Sequence, residues 1–161
     1  DHCWSLGLIL QAIPYARIIY CRRNPMDCCL RNFIRWYSSG NSHSNDLADT
    51  ALYFKTYREI MEFWVERFGN RIFRLRYEEM VRNPGETART LFDFCGLDGD
   101  PDAVVADFTT DDIGHWRNYE PYLTPLRDAL HRPVPAAITE GWSSAERRGG
   151  KECRSRWSPQ L

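Results

Sequence analysis

The segment Ala16–Cys21, ARIIYC, runs without a turn signal into Arg22-Arg23-Asn24-Pro25, and this junction constrains the fold more than any other part of the chain. Its β-branched, apolar content is that of a buried parallel strand. Asn24 reads as a helix N-cap, Pro25 as the first helical residue, and Asp27 as a carboxylate near the exposed amides of the first turn. A helix is therefore expected from about Pro25 to Tyr37. The same grammar returns downstream. Arg71–Tyr77, RIFRLRY, alternates charged and apolar residues as a strand does, and Asn83-Pro84-Gly85-Glu86 supplies a cap, a proline and a capping-box glutamate for a helix ending near Gly96. Two successive strand–loop–helix units predict an α/β protein with a parallel sheet.

The remaining segments fill in around these units. Leu6–Ile13 is apolar and stopped by Pro14, which suits a short helix. Leu47, Ala51, Phe54, Tyr57, Met61, Trp64 and Phe68 recur at intervals of three or four, one stripe of a long helix for which Gly69 is a natural stop. The simplest use of that aromatic stripe is as core. Ser38–Asn45, SSGNSHSN, is too polar for an element and reads as a loop. After Asp98 a short helix is expected over Pro101–Phe108, and Pro121 and Pro125 must kink or break the last helical run, IGHWRNYEPYLTPLRDAL.

A chain of 161 residues holds one domain with a real core but not two. No apolar run approaches the ~18 residues that span a membrane, and neither a signal peptide nor a start Met is present, so a soluble, cytoplasmic protein is expected, with an N-terminal part lost. The six cysteines (3, 21, 28, 29, 95 and 153) form no CxxC pair and meet no His at zinc-finger spacing, which predicts free thiols in a reducing compartment and no metal. Ser144–Leu161 carries five Lys/Arg against two Glu, leaving −4 on the other 143 residues against −1 for the whole chain. That balance argues against a nucleic-acid binder.

The basic tail is set apart. ERRGGKECRSRWSP resembles the conceptual translation of a sequencing adapter, so residues 144–161 are read as non-native and disordered, and residues 1–143 as the domain.

A strand running into a helix start offers backbone amides and the positive end of the helix dipole at the strand's carboxyl edge, a setting for anions. Arg22 or Arg23 adds a planar donor fork suited to phosphate or sulfate. Asp27, Arg31 and Arg35 follow at i, i+4 and i+8 along one helix face. The plainer alternative is that Asp27 and Arg31 form an exposed helix pair worth about 0.3–0.5 kcal/mol, with Arg35 solvated. These residues leave both open.

The stretches LGLIL…ARIIYCRRNPMDCCLRNF, LRYEEMVRNP…LFDFCGL and GHWRNYEPYLTPL, in this order, are similar to the sulfotransferase domain fused to tetratricopeptide repeats in bacteria, a relative of the tyrosylprotein and cytosolic sulfotransferases. The resemblance covers most of Leu6 to Leu130. It implies a P-loop-like, three-layer α/β fold, here partial, that moves a sulfuryl group from 3′-phosphoadenosine 5′-phosphosulfate (PAPS) to a hydroxyl or amine without a metal. By that resemblance Arg23 grips the 3′-phosphate, Arg35 reaches the same phosphate, and Tyr77 contacts the adenine. Trp116 and Arg117 match the family's block near the nucleotide, with His115 in place of its usual first Arg. Arg31 stands where the family usually has a phosphate-binding Ser, and as a donor it is a further candidate for the 3′-phosphate. The family's catalytic His falls on Asp1 or His2, so His2 is the candidate base.

Two departures accompany it. The first strand and its Gly/Ser/Thr-rich phosphosulfate loop are missing, and the stretch between the FCGL helix and GHWRNYE is shorter than in the family. The resemblance further implies a small-molecule or peptide acceptor, with tetratricopeptide repeats upstream in the parent protein. Two other classes stand beside it: a non-catalytic α/β binding or scaffold module with a vestigial nucleotide site, and a P-loop kinase relative. The latter calls for a GxxxxGK[ST] segment and a magnesium-binding Asp, which the sequence lacks.

Overall fold

In a computed structural model, which describes residues 2–35, 37, 40–105 and 110–135, both strand-like runs form strands and pair with each other. The tail at 144–161, the boundary before it and the end of the helix expected to reach Phe108 lie outside the described residues. The chain through Leu130 gathers into one compact unit, and His131–Leu161 forms another, of which residues 131–135 are described.

A 3-10 turn, His2–Ser5, leads into α1 (Leu6–Ala12), followed by β1 (Ile18–Arg22), α2 (Pro25–Ile34), a 3-10 turn at Ser42–Asn45, and α3 (Leu47–Phe68). A turn at Gly69–Arg71 precedes β2 (Ile72–Arg76), α4 (Tyr77–Arg82) and α5 (Pro84–Cys95). Two further 3-10 segments, Pro101–Val104 and His115–Tyr122, come before α6 (Thr124–His131). β1 and β2 are parallel, in register from Ile18 opposite Ile72 to Arg22 opposite Arg76. The α/β class and the parallel sheet expected from the sequence are both present.

The differences have local causes. α2 ends at Ile34 because Arg35 is extended, at φ −80° and ψ 126°. Only one face of β1 is well buried: Tyr20 is covered, whereas Ile19 remains 42% exposed. Tyr77 begins α4 rather than ending a strand, since the Glu78 and Glu79 carboxylates favour a helix's first turn. Asn83 makes no side-chain cap bond, although Gly96 closes α5 in the left-handed region at φ 65°. Gly69 stays right-handed and starts a turn instead of capping α3. The aromatic stripe does serve as core, with Ala51, Met61 and Trp64 buried.

The residues that position the sheet's carboxyl edge are packed from three sides. Met26, Cys29 and Leu30 of α2 meet Ala51 of α3 and Leu123, Leu126 and Ala129 around α6 in one apolar cluster. At the other end, Trp64 donates from Nε1 to the Cys3 carbonyl at 2.9 Å and lies so close over Gly7 that a Cβ there would come within 2.6 Å of the indole. Arg71 donates to the carbonyls of Leu10, Ile13 and Ala16, satisfying acceptors that the end of α1 leaves open.

Asp27 is the least expected member of this framework. It is 1% exposed, and its two carboxylate oxygens accept from the backbone amides of Gly114 (2.8 Å) and Trp116 (3.0 Å). It is therefore no surface partner of Arg31. A buried carboxylate is tolerated only where donors replace its water, and two amides from a distant segment do so here. Asp27→Ala strands both amides and is expected to lower the unfolding free energy by about 3 kcal/mol. Asp27→Asn keeps one acceptor oxygen and should lose roughly half as much. Urea midpoints at constant slope read both losses, and a midpoint for Asp27→Ala equal to wild type removes the clamp.

Candidate functional site

In open parallel sheets, ligands collect outside the carboxyl ends of the strands, and a cavity of about 560 Å³ lies there in this protein. The parallel register seats Arg22 beside Arg76 on adjacent strands, and both line this cavity. Like charges side by side on neighbouring strands are unfavourable unless a negative charge offsets them, and Glu79 pairs with Arg76 at 3.0 Å while Arg22 has no carboxylate partner among the described residues. Arg23, Arg82 and Arg117 also contribute to the wall. The two carboxylates on it are already engaged: Asp27 by the Gly114 and Trp116 amides, Glu78 by the amide of Asn24 at 2.7 Å.

Arg23, the first residue beyond β1, is held on two sides. Its Nη2 donates to the Asp112 carbonyl at 2.5 Å, and its guanidinium lies 4.5 Å from the centre of the Tyr77 ring. Its Nε is buried without an acceptor. The indole Nε1 of Trp116 is likewise buried and unpaired. Buried donors are normally satisfied, and each one left open costs about 1–3 kcal/mol. Both residues line the cavity, and the two donor atoms lie covered just behind its surface.

Gly114 permits the rest of that wall. It sits at φ 76°, and a Cβ there would fall 2.1 Å from Nη1 of Arg117. Arg117 can thus fold back over the glycine, its guanidinium 5.2 Å from the Trp116 ring. The helix start contributes less than the sequence suggested. The Asn24 side chain accepts from the amides of Met26 (3.0 Å) and Asp27 (3.3 Å), so α2 caps itself and the arginines supply the donors.

The candidate residues divide accordingly. Arg23, Trp116 and Arg117 line the cavity, and Tyr77 supports Arg23. Arg31 is drawn to the same segment by an ion pair with Asp112 at 2.5 Å. Arg35, beyond the end of α2, lies over Tyr37 at 5.5 Å and is not on the wall. His2 is exposed in the first turn and lines neither this cavity nor the adjoining one described below. Sequence reasoning overlooked Asp112, Glu78, Arg76 and Arg82. Only the double arginine of RLRY hinted at Arg76, and no local pattern marked Asp112.

The cysteines stay outside the chemistry. Burial pushes the Cys28 thiol up, partly countered by Arg23, and burial raises Cys29 as well. Both remain neutral thiols near neutral pH rather than nucleophiles. Among the described residues, no group of three or more His, Cys, Asp or Glu is placed to hold a metal ion, and no helix is long and apolar enough to cross a membrane.

Residues 1–102 match the model of a family described as the sulfotransferase family. A protein of Aquifex aeolicus (strain VF5), described as uncharacterized, is 28% identical over 146 residues. The match takes in 78% of this chain but 19% of that relative, so the chain spans about a fifth of the relative's length. No solved structure matches. The family match contains Arg23, Arg31 and Tyr77 and stops before Asp112, Trp116 and Arg117.

Two outcomes are expected. Asp112 offers Arg31 a carboxylate and Arg23 a carbonyl, so it stands in for an incoming anion. Asp112→Asn should bind inorganic pyrophosphate several-fold more tightly than wild type in calorimetric titration, because the half-exposed Arg31 pair it gives up is worth only about 0–1 kcal/mol; weaker binding contradicts the stand-in role. The second concerns the thiols. Their folded ionisation lies above the unfolded value near 9.0, so the stability they contribute is complete below that pH and is lost as pH rises through and beyond it. Urea midpoints should fall from pH 8 to pH 10, and Cys29→Ala should flatten the fall.

Proposed function

The chain belongs to the sulfotransferase family, and we propose that its arginine-lined cavity holds the 3′-phosphate of PAPS, the donor from which a sulfuryl group passes to an acceptor hydroxyl or amine. The single observation that carries this reading is the gathering of Arg22, Arg23, Arg82 and Arg117 on one cavity wall whose described carboxylates, Asp27 and Glu78, are both engaged. A phosphate brings several acceptor oxygens and negative charge together, which is the complement of that wall.

Each residue then has a part that its surroundings support. Arg23 supplies the fork that meets the phosphate, and Tyr77 fixes the plane of that fork by stacking beneath it. Arg22 sets the positive field at the strand ends, with Arg76 beside it partly offset by Glu79. Trp116 donates from its indole nitrogen, and Arg117 closes the far side. Asp27 is a positioning residue: it holds the Gly114–Trp116 backbone so that Trp116 and Arg117 reach the wall. In the transfer, the acceptor oxygen or nitrogen bonds to sulfur as the S–O bond to the nucleotide's 5′-phosphate breaks, and a base takes the acceptor proton. The exposed His2 has no part in this arrangement.

Isothermal titration with adenosine 3′,5′-bisphosphate tests the donor site. Arg23→Ala should weaken binding by at least about tenfold, the loss of one charged, bidentate donor. Trp116→Phe should weaken it by a smaller factor without altering the fold. Unchanged binding in Arg23→Ala removes the assignment.

A further inference from the structure

A second cavity, of about 480 Å³, lies against the first and shares Arg22, Arg23 and Pro25 with it. That volume falls within the range of sites for small organic ligands, ~300–1,000 Å³. Its walls are rings. Tyr20 and Tyr57 meet edge to face at 5.9 Å, His43 stacks on Tyr53 at 3.8 Å, and Phe54 and Tyr37 complete the enclosure.

Some of the neutral polar groups on the wall are already paired within the protein. Asn32 donates to the Cys28 carbonyl and accepts from the Tyr37 hydroxyl at 2.8 Å. Thr50 Oγ1 donates to the carbonyls of His43 and Asp46. Burial raises Tyr20, Tyr57, Cys21 and Cys28, so these groups stay uncharged and leave no anionic charge on the wall. What faces a ligand is therefore aromatic surface and cationic charge.

That charge has one sign. Among the described residues, Arg22, Arg23 and Arg58 line the cavity, no Asp or Glu does, and none of the three has a carboxylate partner. Glu62, whose charge Tyr20 feels, is paired with Arg74 and is not on the wall. Arg58 sits at the exposed rim above Phe54. Rings with uncompensated guanidiniums favour a flat ligand bearing a carboxylate or similar acid. They disfavour an ammonium, which three arginines repel.

We propose that this second cavity binds a small aromatic alcohol carrying an acidic group, and that the acceptor of the transfer is drawn from this class. The assignment rests on the reading of the neighbouring cavity as the donor site, from which the hydroxyl is taken, and it adds to the acceptor an aromatic ring and an acidic group.

Calorimetric titration of the 161-residue chain with 4-hydroxyphenylacetate, in parallel with tyramine, tests it. The two probes share a phenol and differ in the charge of the side arm. The acid should bind at least about tenfold more tightly than tyramine, and Arg58→Ala should weaken the acid by roughly tenfold while leaving tyramine and adenosine 3′,5′-bisphosphate unchanged. Saturating bisphosphate should leave the acid's affinity within about threefold. Equal affinity for tyramine, or an Arg58→Ala variant that binds the acid like wild type, overturns the proposal. So does competition between acid and bisphosphate, which would place the nucleotide in this cavity. If the acid binds as described but the bisphosphate binds nowhere, the donor reading fails and the acid site stands; the reverse pattern removes the acid site alone.

Discussion

Asp27 joins the two parts of the chain on which everything at the sheet edge depends. It belongs to the first turn of α2, directly after β1, yet its carboxylate is spent on amides 87 and 89 residues away. Without it, the Gly114–Trp116 backbone keeps only the packing of Trp116 on the apolar cluster, and the amides that fix its register lose their acceptors. The apolar cluster of α2, α3 and α6 supports the same junction from behind, so the polar clamp and the hydrophobic packing reinforce one geometry. Burying a charge is costly by itself; two short charge-assisted bonds make this one specific as well as tolerable. A point contact of this kind fixes register, which a greasy surface alone does poorly.

Much of the framework was legible because it follows local rules. Asn24 caps and Pro25 starts α2 as their chemistry requires, and the three-four spacing of Leu47–Phe68 yields one helix over that span. Arg23 was legible as the donor at the strand end because strand, cap and proline bracket it. What could not be read depends on contacts between distant residues. Nothing near Asp27 announces Gly114, and nothing near Arg31 announces Asp112. The helix face joining Asp27, Arg31 and Arg35 seemed continuous, yet it splits three ways: Asp27 into the core, Arg31 to Asp112, Arg35 to Tyr37. The amides expected to grip an anion were already taken by Asn24, a rivalry between side chain and ligand that spacing cannot resolve.

The site is frustrated in a directed way. Arginines crowd the strand ends, two donors are buried without acceptors, and Asp112 partly answers them with a carboxylate and a carbonyl. Such unmet demand is a standing cost to the folded chain, and any ligand that meets it returns that cost as affinity and stability. The two cavities share Arg22 and Arg23, so the positive charge of these two residues belongs to both walls.

The pairing of Arg22 with Arg76 adds a geometric consequence. Both side chains spring from one rung of the parallel ladder, whose strands lie ~4.8 Å apart. The ladder's hydrogen bonds fix where the two arms begin, and Glu79 tethers the far end of Arg76. An anion entering between them meets one arm that is free to turn and one that must first let go of a carboxylate.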